Sequence, residues 1–247
     1  MRGFRQLTIV NLTLYLREPI ATFFTLAFPP LIVLLFGAMY GNTPSAMFNG
    51  YGTMDISMPA YTAMIIGTVG FLGLPITISG YREAGVLRRF HATGIWPLTY
   101  ILADVLSNLV MTLLGMVGLL IVGWLIYRVR FEGNVLAVVL AVIYSSLAMF
   151  SIGYLIGSLA PGARTAQVVG MVIFYPMMFL SGASIPLEVL PESIRKVANF
   201  LPLTYVVKLL RGLWFGDTWG EHLLDTAVIG GVLVVCTLLA ARFFRWD

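Results

Sequence analysis

Six stretches of this chain run apolar for about 20 residues each, the length an α-helix needs to cross the hydrocarbon core of a bilayer. Inside lipid every backbone N–H must find a carbonyl within its own segment, so such a run can only be helical. The candidates are Ile20 to Tyr40, Met58 to Ser79, Leu98 to Tyr127, Val135 to Leu159, Thr165 to Ile185 and Leu223 to Phe244. Four carry no charge. The third has only Asp104, and the sixth is charge-free between Asp225 and Arg242. Composition agrees, with 59% hydrophobic and 11% charged residues, against about a quarter charged in a soluble domain. The expected fold class is all-α: a polytopic membrane protein of six transmembrane helices. With 247 residues, the spans use most of the length, so the chain reads as a single membrane domain. A soluble enzyme, a disordered chain and a disulfide scaffold are excluded.

An even number of spans puts both termini on one side. Placing them in the cytoplasm gathers Arg2, Arg5, Arg17, Arg82, Arg88, Arg89, Arg164, Arg242 and Arg245 on the inner face, nine of the fifteen basic residues. Arg128 and Arg130 then fall in a short outer loop and run against the trend. Arg195, Lys196, Lys208 and Arg211 lie in a long connection with Glu188, Glu192, Asp217 and Glu221. The net charge of +4 is thus explained by topology, with no nucleic acid as partner. Met1 to Arg17 lacks an apolar h-region with a cleavage site, so no removable signal peptide is read.

Proline is frequent in the spans: Pro29, Pro30, Pro59, Pro75 and Pro176. Each interior proline frees a carbonyl and bends its helix, giving either a static kink or a moving gate. Gly67, Gly70 and Gly73, and Gly153 with Gly157, have the spacing of tight helix contacts, within one protomer or between two. No repeat relates the two halves, which disfavours an inverted-repeat carrier.

Three segments outside the spans carry information. Met1 to Arg17 places Phe4, Leu7, Val10 and Leu14 at helical spacing among charges. It is expected to lie on the inner surface as an anchor, or as a lever beside a cytoplasmic partner. Residues 80–94 form an inner loop in which Tyr81 to Phe90 can be a short helix, with Val86, Leu87 and Phe90 as apolar knobs among Arg82, Glu83, Arg88 and Arg89. That mixture suits docking into a protein groove, or a headgroup-bound helix. Residues 185–211 are cut by Pro186, Pro191 and Pro202 into pieces too short to cross. Two short helices are expected to fold back into the outer leaflet, with Lys196, Lys208 and Arg211 reaching to water or headgroups.

Site chemistry is sparse. Both lysines, Lys196 and Lys208, lack the preceding Gly of a phosphate-binding loop. His91 and His222 fall on opposite sides of the membrane, so no paired-His metal site and no catalytic residue is assigned. Cys236, the single cysteine, is expected to be a small buried hydrophobe. Asp104 shares a helical face with Asn108 and Thr112. This marks a candidate substrate path or gate, or a structural acid near the inner interface, hydrated or paired with an arginine. The alternatives are an ion-coupled secondary transporter, which would concentrate acids near the midplane, and a membrane scaffold or channel, the latter calling for a polar pore ring.

Leu16-Arg17-Glu18-Pro19, Arg82-Glu83-Ala84-Gly85-Val86-Leu87, Ser181-Gly182 and Pro202-Leu203-Thr204-Tyr205 with Arg211 occur in an order and spacing that resembles the ABC-2 type family of membrane permeases. These are the transmembrane halves of ATP-binding-cassette exporters for drugs, lipids and lipid-linked glycans. The resemblance implies that residues 1–18 are an interfacial connecting helix and that Arg82 to Phe90 is a coupling helix seated on a cytoplasmic ATPase subunit. It also implies that Ile185 to Tyr205 is an external re-entrant hairpin. ATP and Mg would act in that partner subunit, with no cofactor on this chain. A second permease protomer, identical or not, would complete the transporter in the cell inner (plasma) membrane. Val86 departs from the Thr usual in the drug-exporter branch, so the resemblance leaves the cargo class open.

Overall fold

The computed structural model describes residues 2–86, 89 and 97–243, and among these every regular element is helical. An amphipathic helix, α1 (Arg2–Arg17), precedes six helices long and apolar enough to cross a membrane: α2 (Phe23–Tyr40), α3 (Thr53–Glu83), α4 (Pro97–Tyr127), α5 (Val135–Leu159), α6 (Ala163–Leu180) and α9 (Leu223–Phe243). Two short helices, α7 (Glu192–Ala198) and α8 (Pro202–Trp214), stand between α6 and α9. The polytopic all-helical class read from the sequence is the one observed.

The apolar stripe of α1 is only partly buried. Leu7 packs inward and the Ser107 hydroxyl of α4 meets the Thr8 carbonyl, whereas Val10 and Leu14 are exposed. Lipid is as apolar as a protein core, so such a helix can leave part of its apolar stripe facing outward without loss.

The prolines are accommodated by widened turns. A π-helical stretch, Phe23–Ala27, runs directly into Phe28, Pro29 and Pro30, and another, Val69–Gly73, runs into Leu74 and Pro75. Proline cannot donate to the carbonyl four residues back, and its ring crowds that carbonyl; one extra residue in the preceding turn relieves both. The carbonyls four residues before Pro29 and Pro75 belong to Thr25 and Phe71. Each is met by a glycine of a neighbouring helix, Gly115 of α4 and Gly170 of α6, where a Cβ would overlap the oxygen. This is the close approach that Cα–H···O contacts use.

The second span begins five residues before Met58 and ends four after Ser79. It is the hub, the most buried of the six spans, whereas α9 is the least. Gly70 and Gly153 bring α3 and α5 backbone to backbone, and Gly157 seats against Pro75 and Ile78, so these glycines serve contacts within the chain; Gly73 meets nothing. Cys236 of α9 is half-buried, not a core residue, because most of the surface of α9 is left uncovered by the rest of the chain. Between α6 and α9, Pro186, Pro191 and Pro202 each open an element: the turn Leu187–Val189, then α7 and α8. At 13 residues, α8 spans roughly 20 Å, short of a ~30 Å hydrocarbon core. It buries Leu203, Val206, Leu209, Leu210 and Leu213 against α3, α5 and α9.

Candidate functional site

The elbow between α3 and α4 is where the sequence put a docking segment. The helix does not restart at Tyr81. Instead α3 continues through Arg82 and Glu83 and is stopped by a turn at Ala84 and Gly85, the latter at φ +67°. Val86 follows, half-buried, and Arg89 is exposed; Leu87, Arg88, Phe90 and residues 91–94 lie outside the described residues.

Arg82 and Glu83 are already engaged. The Arg82 guanidinium donates to the Ser158 carbonyl at 3.0 Å and to that of Ala160, at the C-terminal end of α5. A Glu83 carboxylate oxygen accepts from the Ala163 N–H at 3.1 Å, at the first residue of α6. Helix ends leave carbonyls and N–H groups without partners, with partial negative charge at the C-terminus and positive at the N-terminus. A cation on one end and an anion on the other therefore lock the α5–α6 turn to the tip of α3. The Ser79 hydroxyl adds a bond to the Gly157 carbonyl at 3.2 Å.

Asp104, Asn108 and Thr112 face inward together, at 5%, 6% and 0% exposure. The Tyr154 hydroxyl of α5 donates to Asp104 Oδ2 at 2.6 Å, so the partner of Asp104 is a tyrosine, not an arginine. The Asn108 amide donates to the Asp104 carbonyl at 2.9 Å, and the Thr112 hydroxyl to the Asn108 carbonyl at 2.8 Å. Asp104 thus ties α4 to α5, while Asn108 and Thr112 bond back along α4 itself.

On the other side, the cations expected to reach water or headgroups have protein partners. Arg211 pairs with Glu188 at 2.6 Å, Lys208 donates to Asn199 Oδ1 at 3.0 Å, and Lys196 pairs with Glu192 at 3.1 Å in the open. The Tyr205 hydroxyl donates to the Asn199 carbonyl at 2.6 Å. The proline-cut segment is thus tied to itself.

Two polar clusters on this side went unread in the sequence. Asp55, 2% exposed, accepts from the Gly52 N–H, the Asn42 amide and the Arg130 N–H, each at 2.9 Å. It joins the loop after α2, the start of α3 and the α4–α5 connection. Its signal was an acid in the first turn of a helix, three residues after Gly52. His222 has Nδ1 2.8 Å from Asp225 and Nε2 3.1 Å from Asp217. Burial by itself lowers its pKa, but the bonds and charges of the two carboxylates override it, and the net shift is upward. Among the described residues no group of three His, Cys, Asp or Glu is placed to hold a metal.

Five spans around the buried α3, an amphipathic helix at the front and proline-opened helices before the last span define a multi-pass membrane protein. The chain belongs to the ABC-2 type transporter family, which matches residues 2–215. It is similar to the inner membrane transport permease YhhJ of Escherichia coli (strain K12), 27% identical over 187 residues that cover 72% of this chain and 50% of YhhJ. It is also similar to nodulation protein J of Rhizobium leguminosarum bv. viciae, 31% identical over 41% of this chain and 39% of that protein. The daunorubicin resistance ABC transporter permease protein DrrB1 of Streptomyces coeruleorubidus is 22% identical over 88% of this chain and 77% of its own length. The matched region thus spans about half the length of YhhJ.

Proposed function

We propose that this chain is the transmembrane permease subunit of an ABC exporter, powered by a separate ATP-binding subunit in which ATP and Mg act. The observation that carries the reading is the Arg82–Glu83 lock. A segment at residues 82–90 that binds a cytoplasmic ATPase would be continuous with the most buried span and bolted to the α5–α6 turn, so a push there moves three spans as one body. The relatives named as transport permeases and as a daunorubicin resistance permease support the same role.

In this reading both termini are cytoplasmic, α1 lies along the inner surface, and residues 185–211 form a re-entrant hairpin in the outer leaflet. Two protomers, identical or different, enclose the path. The cargo is amphipathic: lipid-like, drug-like or a lipid-linked glycan. Asp104 favours a second reading, an ion-coupled carrier, only if that acid exchanges a proton during transport.

Co-purification with the cognate ATP-binding subunit tests the proposal. Leu87→Asp or Phe90→Asp, each placing a charge on an apolar knob, is expected to cut ATPase capture at least about tenfold while membrane insertion is retained. Wild-type capture by both variants would refute the docking role.

A further inference from the structure

Beyond the transport reading, and independent of it, the α4–α5 connection carries an anomaly. Arg128 and Arg130 lie in the loop across the membrane from the Arg82 elbow, away from most of the chain's cations. Arg128 also follows the last residue of α4 with φ +50°, a left-handed position where glycine is the residue without steric cost. Among the described residues no carboxylate forms an ion pair with either guanidinium. Glu132, the acid nearest in sequence, accepts from the Tyr51 hydroxyl at 2.9 Å, and the Asp55 carboxylate beside Arg130 accepts from its backbone N–H.

Interleaved with these arginines are Val129 and Phe131, which line a cavity of about 200 Å³ between α3, α4, α5 and α8. Met58, Met116, Val138 and Trp214 form its wall, and Trp124 and Val135, 69% and 67% exposed, stand where it meets the lipid-facing surface. Apolar cavities of ~150 Å³ stay dry and accept an apolar guest. The loop is held in place from both sides, by the Arg130 N–H on Asp55 and by the Trp214 indole N–H on the Arg130 carbonyl at 2.9 Å. A fixed loop presents its charges at little ordering cost.

We propose that this is a binding site for one anionic phospholipid of the adjacent leaflet, its acyl chain in the cavity and its phosphate-bearing headgroup on Arg128 and Arg130. The apolar wall alone would take any acyl chain; the two cations select for negative charge. At about fivefold per cation near a membrane surface, the pair accounts for roughly a 25-fold preference.

Native mass spectrometry of the detergent-purified chain, with phosphatidylglycerol and phosphatidylcholine of identical acyl chains in competition, tests this. The wild type is expected to retain one phosphatidylglycerol per chain. The Arg128→Gly, Arg130→Gln double variant is expected to lose that preference about 25-fold with its melting temperature in lipid-free detergent not lowered, since glycine suits the Arg128 backbone. Val135→Trp, which fills the mouth from an exposed position, is expected to reduce retention of both lipids. Equal retention of the two lipids by the wild type, an undiminished preference in the double variant, or full retention in Val135→Trp would each overturn the site. So would displacement of phosphatidylglycerol by millimolar inorganic phosphate, which has no chain to place in the cavity.

Discussion

Asp104 and Tyr154 meet at 2.6 Å between α4 and α5, and the pair separates two roles for the acid. Asp104→Asn retains an oxygen for the Tyr154 hydroxyl, whereas Asp104→Leu leaves that buried hydroxyl only the Ile101 carbonyl at 3.5 Å, a loss of about 1–3 kcal/mol. For a structural acid, the Asn variant is expected to transport normally and the Leu variant to lower the melting temperature and folding yield. Loss of transport in a well-folded Asn variant would instead favour ion coupling. His222 gives a pH signature. Its folded pKa is raised by Asp225 and Asp217 against the pull of burial, so its contribution is complete below the unfolded value of about 6.5 and fades as pH climbs through the folded one. The melting temperature of the wild type should therefore exceed that of His222→Gln most at mildly acid pH, with the gap closing toward alkaline pH. A gap that stays constant would show that the ring is held by packing alone.

At the level of elements, the spans are joined through glycines that reach backbone oxygens. A Cβ on Gly170 would overlap the Phe71 carbonyl that Pro75 leaves free, whereas a Cβ on Gly73 meets nothing. Gly170→Ala is expected to cost about 1–3 kcal/mol by overpacking. Gly73→Ala in the same region should gain up to about 1 kcal/mol from reduced backbone entropy. Thermal melts of the two purified variants check the contrast; equal losses would mean that helix flexibility, not the oxygen contact, sets the glycine requirement. The π-helical turns belong to the same account. The sequence shows where proline interrupts the i to i−4 ladder, and only the neighbouring helix decides how the freed carbonyl is covered.

Across the whole molecule, polar ties concentrate at the two ends of the bundle while apolar contacts fill the middle. One end carries the Arg82–Glu83 lock on α5 and α6. The other carries the Asp55 hub, the Trp214–Arg130 bond and the Glu188–Arg211 pair. A bundle fastened this way favours moving as groups of helices over bending within each one. α3 takes part in both ends, which makes it the element that can relate an event at the elbow to the loops across the membrane.

The number of spans, the amphipathic first helix and the proline-cut pieces could be read from sequence because each rests on a local rule: hydrocarbon thickness fixes length, helical spacing sets a face, and proline forbids continuation. Side-chain partners were not local. Arg82 and Glu83 were seen as docking charges, yet their bonds go to helix ends about 80 residues away. Asp55 and Arg130, on separate elements, become neighbours only once α3 and α4 stand side by side. The direction of each apolar face escaped as well, since lipid and protein interior attract the same side chains and periodicity alone cannot tell them apart. The sequence by itself determined that this chain is a six-span helical membrane protein. Which charges are spent on holding it together, and which remain to meet a partner, was decided by the tertiary structure, because pairing depends on distances that only packing sets.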